Sequence, residues 1–405
     1  MARTAEAASP AATRTINKTM SALRINCFIN TDDNSMYIMK KDSFRSIITL
    51  HKRRAVCLLV LLIMVIITQT GCGNGKTSGQ VSDPVTGENF LLDTVCTISI
   101  YEMTGDDGTP VPAADMKEQA DQIIGDTFAV CARLDKTLSR TQEASEISRL
   151  NNAGGEWTAV SEDTLRLITE GRKYSELSGG DFDITVGGVT ELWDFHADPE
   201  DAKLPDAEAI SEAVKHVGYD KVEIAGNKVR LTDPETRIDL GGIAKGYIGD
   251  RMAEYLEEKG VTSGIVNLGG NVICIGGKTE KDDFAIGVEA PFSDRTEIVG
   301  KIYARDMTLV TSGIYERKIE VDGKLYHHIL DTRTGWSAET DLQAVTLTAG
   351  KGHSMDIDAL STICLIKGHR DAKELIENTE GIEAVFILND GSADTTSGME
   401  FEPAE

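Results

Sequence analysis

Apolar and polar positions alternate over residues 91–101, with Cys96, Ile98 and Ile100 on one side and Val95, Thr97 and Ser99 on the other, which predicts a β-strand. The period then changes. Met116, Ala120, Ile123, Ile124, Phe128, Cys131 and Leu134 recur three or four apart, the apolar stripe of an amphipathic helix over 114–134. Further helices are predicted at 163–178, stopped by Gly179-Gly180, and at 206–217, stopped by Gly218. Residues 229–232 and 237–240 read as hairpin strands, and 243–259 as a helix that ends at Gly260. Strands follow at 264–268, 272–275, 284–288, 299–304 and 344–348, then helices at 358–366 and 370–378 and a last strand at 384–388. Runs of adjacent strands between separated helices predict an α+β fold and not a doubly wound parallel sheet.

Two segments frame this body. Residues 76–88 are rich in Gly, Ser and Asp and read as a linker, and 392–405 as an acidic, frayed tail. Before Cys72 the pattern is of another kind. His51-Lys52-Arg53-Arg54 precedes an unbroken apolar run over 55–67, followed by Thr68-Gln69-Thr70-Gly71-Cys72. The run is shorter than the roughly 20 residues of a membrane-spanning helix and fits the apolar core of a signal peptide. Gly71-Cys72 resembles the end of a bacterial lipobox, whose cysteine is lipidated, although Gln69 stands where an aliphatic residue is usual. The expected location is the outer face of the bacterial cytoplasmic membrane.

Charge divides at the same place. The prefix before Cys72 holds ten basic and four acidic residues, a net of +6, so the rest carries −31 of the overall −25. A body that acidic repels phosphate backbones, which argues against nucleic-acid binding. Of the seven cysteines, Cys96, Cys131, Cys274 and Cys364 sit singly in apolar runs without CxxC spacing, and read as buried thiols, not zinc ligands or a disulfide framework.

Five motifs carry candidate chemistry. Asp239-Leu240-Gly241-Gly242-Ile243-Ala244-Lys245 follows a predicted strand and opens a helix. Paired glycines admit a close ligand, and free N–H groups at a helix start favour an anion. Lys245 in that first turn opposes the helix dipole, which an anion would explain. Asn267-Leu268-Gly269-Gly270-Asn271 is a second glycine turn. Asp358 and Thr362, four apart, share one helix face and suit a hard cation, while an N-cap is the simpler reading of Asp358 taken alone. His327-His328 offers a proton acceptor, with hydroxyl and guanidinium donors in Thr311 to Arg317 before it. Asp181-Phe182-Asp183, leading to Trp193, offers aromatic faces for stacking, with core packing the simpler reading of Trp193.

In this order the motifs LDTVCTISIY, LSRTQEASEISRLNN, FDITVGGVTELW, IDLGGIAKGYIGDR, VNLGGN, TSGIYER, HHILDTRTG and DALST closely resemble the bacterial flavin transferase family known as ApbE, from about Phe90 to Leu388. The resemblance implies a single catalytic domain of mixed α/β, T-fold type, with FAD as the bound substrate and one or two Mg²⁺ ions. It divides the chain into an extension and signal peptide at 1–71, a linker at 72–88, the FAD-binding domain at 89–390 and a flexible tail at 391–405. Carried over by motif, the metal is held by Asp358, Thr362 and the Gly242 carbonyl. FAD contacts Leu92, Thr141, Asp181, Phe182, Asp183, Asp239, Lys245 and Ile329, and His328 and Asp358 are the catalytic candidates. Leu92-Asp93-Thr94 stands where the family has Met-Gly-Thr, and Gly188 where it has proline. The implied reaction moves FMN from FAD to a threonine of a membrane-associated electron-transfer protein. Hydrolysis of FAD to FMN and AMP, and simple carriage of FAD, stay open as alternatives.

Overall fold

The computed structural model describes residues 83–404 except 196, 199 and 294–296, together with the backbone of two short strands further upstream. The chain divides into two units, Met1–Gln80 and Val81–Glu405. In the first, Ile25–Ile29 and Met36–Lys40 pair antiparallel. The apolar run 55–67 and Cys72 lie outside the described residues. Among the described residues no helix is long and apolar enough to cross a membrane.

The second unit begins with β1 (Val85–Leu91), β2 (Thr94–Met103), α1 (Ala113–Leu138), α2 (Glu146–Asn151), β3 (Thr158–Ala159) and α3 (Glu162–Leu177). It continues with α4 (Gly187–Thr190), α5 (Ala207–Val214), β4 (Val222–Ala225), β5 (Lys228–Leu231), α6 (Ala244–Glu258), β6 (Val261–Leu268) and β7 (Asn271–Ile275). Then come β8 (Phe284–Glu289), β9 (Ile298–Ala304), β10 (Met307–Gly313), β11 (Lys318–Val321), β12 (Lys324–His327) and β13 (Leu342–Gly350). The last elements are α7 (Ser354–Lys367), α8 (His369–Glu377), β14 (Ile382–Leu388), β15 (Ala393–Thr395) and β16 (Glu402–Pro403).

Eight strands form one sheet in the order β15-β14-β13-β10-β7-β6-β2-β1. Every pairing in it is antiparallel. The two-residue alternation of strands sorts its side chains onto two faces. Cys96, Ile98, Val266, Leu268, Ile273, Val310, Val345, Leu347 and Phe386 pack in a large core with the apolar faces of α1, α6, α7 and α8. Cys274, Leu309, Ala344, Val385 and Ile387 face the other way and pack with Phe284, Val288 and Ile302 of β8 and β9. A third cluster gathers Val189, Trp193, Ile210, Ile319 and Leu330. The α+β reading therefore holds, and the four thiols singled out in the body are free and buried.

Several elements differ from their sequence pattern. Residues 85–88 belong not to a linker but to an edge strand, with Val85 opposite Ile100 and Leu91 opposite Thr94. One flank of an edge strand faces water, so its polar composition disguises it. The tail is not free: Ala393 pairs with Ile387, and Glu402 with Lys301. Residues 237–240 form no hairpin strand. Asn151 donates its amide to the Ile238 carbonyl at 2.9 Å and accepts from the Ile238 N–H at 2.7 Å, so a side chain takes the place of a neighbouring strand. The partners of β5 are β4 and β3. β10, the strand between β7 and β13, has no counterpart among the predicted strands.

Helix starts follow local chemistry. Ser161 and Asp206 cap α3 and α5 by accepting the N–H groups of Thr164 and Ala209. α7 begins at Ser354, so Asp358 lies a full turn inside it and the N-cap reading fails. The cap comes instead from α6, where the buried Asp250 carboxylate accepts the N–H groups of Ser354 at 3.2 Å and Met355 at 3.1 Å. Burial outweighs those bonds and pushes the Asp250 carboxyl up to about 6, from an ordinary value of 3.8. A carboxyl whose pKa is raised by folding stabilises the fold below its unfolded pKa, and that contribution is lost as pH rises through the folded value. Stability is therefore expected to fall between about pH 4 and pH 6, and Asp250→Asn to flatten that slope. Urea midpoints of both proteins across this range measure it.

Candidate active site

The site is built where α6 and α7 meet under the sheet. Gly246, in the first turn of α6, lies against the start of α7: a Cβ there would stand 2.7 Å from Met355 Cα and overlap the Ser354 carbonyl. Both obstacles are backbone, so neither can swing aside. Gly246→Ala should cost about 1–3 kcal/mol or more by forcing the helices apart, and would be read as a lowered thermal midpoint. The contact lets the Gly246 N–H donate to Asp358 Oδ2 at 2.9 Å. α6 has no side-chain cap of its own, so this carboxylate satisfies one of its free N–H donors.

Asp358 is 3% exposed. Burial pushes its carboxyl up, opposed by the Lys245 ammonium, the Gly246 N–H and the Asn271 amide. A buried carboxylate of this kind is costly unless an opposite charge compensates it. Thr362 stands one turn further along α7 and is partly open. A Cβ on Gly242 would come within 3.4 Å of Thr362 Oγ1 and 2.9 Å of Phe182 Cε2, so Gly242, Phe182 and Thr362 converge on one point. Ser361 donates to the Asp358 carbonyl at 2.7 Å, and Ser312 of β10 bonds Ser361 at 2.8 Å, which fixes α7 to the sheet.

His328 follows β12 and lies deep among protein groups, yet part of its surface stays open to solvent. Burial, the Arg317 guanidinium and the Lys245 ammonium push its pKa down to about 3. Its Nδ1 meets the Arg317 carbonyl at 3.2 Å. A carbonyl only accepts, so Nδ1 carries the proton and the Nε2 lone pair is left free. His327, by contrast, is buried on the strand, with Nδ1 unpartnered and a pKa lowered to about 4 by burial. Lys245 makes no hydrogen bond or ion pair among the described residues. Among the described residues the Arg317 guanidinium has only the exposed Asp93 as an ion-pair partner, at 3.8 Å. Two cations beside a neutral imidazole leave room for a multivalent anion.

Leu92 and Asp93 form the two-residue turn between β1 and β2, with φ of 54° and 58°. This mirror-image turn suits the sheet twist but strains a leucine, and strain of this kind gathers at functional sites. Asp239 is held by Arg140 at 2.8 Å and by the Gly241 N–H at 2.8 Å. Asp181 pairs with Lys367 at 2.8 Å and with Arg333. Ile329 is buried beside His328.

Two of the residues named from the sequence sit differently. Both Asp183 oxygens are engaged, one by the Thr185 N–H and hydroxyl of its own loop and the other by the Tyr219 N–H beyond α5, so the carboxylate ties two segments together. Thr141 is exposed and bonds Ser139, next to Arg140, which holds Asp239. Trp193 is core: it stacks on Phe195 at 5.0 Å and donates to the Gly335 carbonyl at 3.0 Å. Asn271 faces the site although motif spacing gave it no role of its own, and Arg317, the guanidinium donor read from its motif, acts on His328. The unusual pairing of a glycine turn with a following asparagine was the available signal for Asn271.

Among the described residues no three His, Cys, Asp or Glu side chains cluster as a metal site. The donors present are one carboxylate, one hydroxyl and a backbone carbonyl, a hard-oxygen set. Residues 92–386 match the sequence profile of the ApbE family.

The chain belongs to the ApbE family.

A Treponema pallidum FAD:protein FMN transferase is 28% identical over 345 residues, covering 81% of this chain and 91% of that protein. A Klebsiella pneumoniae protein of the same name is 31% identical over 265 residues, covering 64% of this chain and 80% of its own. The ApbE protein of Thermotoga maritima superposes with a TM-score of 0.69 at 31% identity, over 78% of this chain and 97% of that one. The flavin transferase ApbE of Vibrio cholerae gives 0.66 at 25% identity, over 78% and 97%. The large antiparallel sheet with helices on one face is thus the ApbE architecture.

Proposed function

We propose that this chain is a Mg²⁺-dependent FAD:protein FMN transferase that acts on a threonine of an acceptor protein and releases AMP. The observation that carries the reading is the pairing of a buried, undercompensated Asp358 with a part-open, neutral His328, with Lys245 acting electrostatically on both.

The residues fit a divalent cation. Asp358 is a buried carboxylate whose neighbours only partly offset its charge, and neither amide atom of Asn271, which approaches it, makes a well-formed hydrogen bond. Asp358, Thr362 and the Gly242 carbonyl would hold the ion. When bound, Mg²⁺ would neutralise pyrophosphate charge and ease departure of AMP. Lys245 and Arg317 supply fixed positive charge toward the same pyrophosphate. Phe182, Ile329 and Leu92 offer apolar surface to the rings of FAD.

The threonine hydroxyl attacks the phosphorus on the FMN side of the pyrophosphate. The new bond is Oγ–P, the broken bond is P–O to AMP, and the threonine proton passes to His328 Nε2. A pKa of about 3 makes a weak base, but its depression comes in part from Arg317 and Lys245. A bound pyrophosphate would neutralise those cations and raise the histidine toward its working range. The acidic limb of kcat, which reports the complex, should therefore lie at higher pH than that of kcat/KM, which reports the free enzyme. Coincident limbs would remove the proposed coupling.

The signal-like run over 55–67 and Cys72 support a lipid tether on the outer face of the cytoplasmic membrane, where membrane-associated electron-transfer proteins would be the acceptors. FAD mixed with the protein and Mg²⁺ tests the chemistry at its simplest, by release of AMP in the presence of an acceptor. AMP that stops with EDTA supports the reading, AMP with only free FMN marks a pyrophosphatase, and FAD bound without turnover marks a carrier.

A further inference from the structure

Asn271 opens β7 directly after the Gly269-Gly270 turn. Its backbone pairs opposite Val310 of β10, and nothing in that pairing calls for an amide side chain. The side chain is 0% exposed, and neither Nδ2 nor Oδ1 makes a well-formed hydrogen bond. Each buried polar group left unpaired costs about 1–3 kcal/mol, and native proteins keep few of them. The polar group it approaches is the Asp358 carboxylate, which its amide favours in the charged form. Gly246 already occupies Asp358 Oδ2.

We propose that Asn271 is a positioning residue of the cation centre: its amide N–H steadies the Asp358 carboxylate, and its amide oxygen receives a water carried by the bound divalent ion. The inference rests on the cation reading above and adds a residue to it. A hard ion of the Mg²⁺ type keeps several waters, and each needs an acceptor in the protein. Asp358, Thr362 and Gly242 are spent on the ion itself, whereas the buried amide oxygen of Asn271 is free. An oriented outer partner of this kind typically changes metal affinity by about 10–100-fold.

The test is Mn²⁺ titration, followed by the paramagnetic signal of the free ion, on the full chain and on Asn271→Leu and Asn271→Ser, with thermal midpoints taken in EDTA. Asn271→Leu should bind Mn²⁺ about 10–100-fold more weakly. Thermal midpoints in EDTA show that each variant still folds without the ion. Asn271→Ser, which keeps a small polar group, covers the case in which the leucine variant fails to fold and should lose affinity in the same direction. Unchanged Mn²⁺ affinity in the folded variants overturns the proposal and leaves Asn271 as the seat of a structural water. A wild-type chain that takes up no Mn²⁺ overturns the underlying cation reading instead, so the two failures are distinguishable.

Discussion

Asp358→Asn should abolish flavin transfer while leaving a more stable apo protein. The substitution removes the only carboxylate among the proposed ion ligands. A bound divalent ion supplies several kcal/mol of charge stabilisation, so the loss should be on the order of 10³-fold in kcat/KM. The same carboxylate is 3% exposed with its pKa raised by burial, so the fold carries it at a cost. An amide of the same shape relieves that cost and keeps an acceptor for the Gly246 N–H. Opposite movement of activity and thermal midpoint is the signature of a functional charge stored in the core. Asp358→Asn with full activity would remove the metal assignment, and a lowered midpoint would show the carboxylate to be structural.

His328→Gln should reduce transfer by about 10²–10⁴-fold, the usual worth of a placed general base. Glutamine keeps an amide donor for the Arg317 carbonyl but has no basic lone pair where Nε2 stands. FAD affinity should change little, because the positive charge facing the pyrophosphate belongs to Lys245 and Arg317. His327→Gln is the matched control. That histidine lies buried on β12 and is expected to affect stability, not chemistry. Equal loss of activity in the two variants would mean that the pair acts through folding alone.

How much of this was legible in the chain depends on where each signal lives. α1 could be read because one helix buries one stripe, from Met116 to Leu134, against a single sheet face. The Asp358–Thr362 pair could be read because four residues make one helical turn. The paired glycines of 241–242 marked close approach, and the structure brings Gly242 against Phe182 and Thr362. What stayed hidden depends on distant partners. Asp250 caps a helix more than a hundred residues away, across the contact that Gly246 permits. Residues 237–240 have strand composition, but Asn151 captures their backbone. β1 and the chain end look like linker and tail because edge strands carry polar side chains and take their order from a neighbour. β10 was masked by its polar residues, of which Thr311 bonds Thr346 of β13 at 2.8 Å and Ser312 bonds Ser361 of α7.

The site follows the same division. Residue types and spacing pointed to an anion near Lys245 and a hard cation near Asp358. Only the fold shows Lys245 acting on both Asp358 and His328, which lie on separate elements. Only the fold separates Asp183, whose oxygens are taken by Thr185 and the distant Tyr219 N–H, from Asp358, whose charge still lacks a full partner.

The central claim is that this centre moves FMN from FAD onto a protein threonine with the help of a divalent ion. The most direct measurement is the intact mass of a threonine-bearing acceptor domain after incubation with the protein, FAD and Mg²⁺, beside an EDTA control and the Asp358→Asn variant. A gain of one FMN on the acceptor threonine with stoichiometric AMP is expected, absent in both controls. An unmodified acceptor with AMP and free FMN in solution, or modification that persists in EDTA, would contradict it.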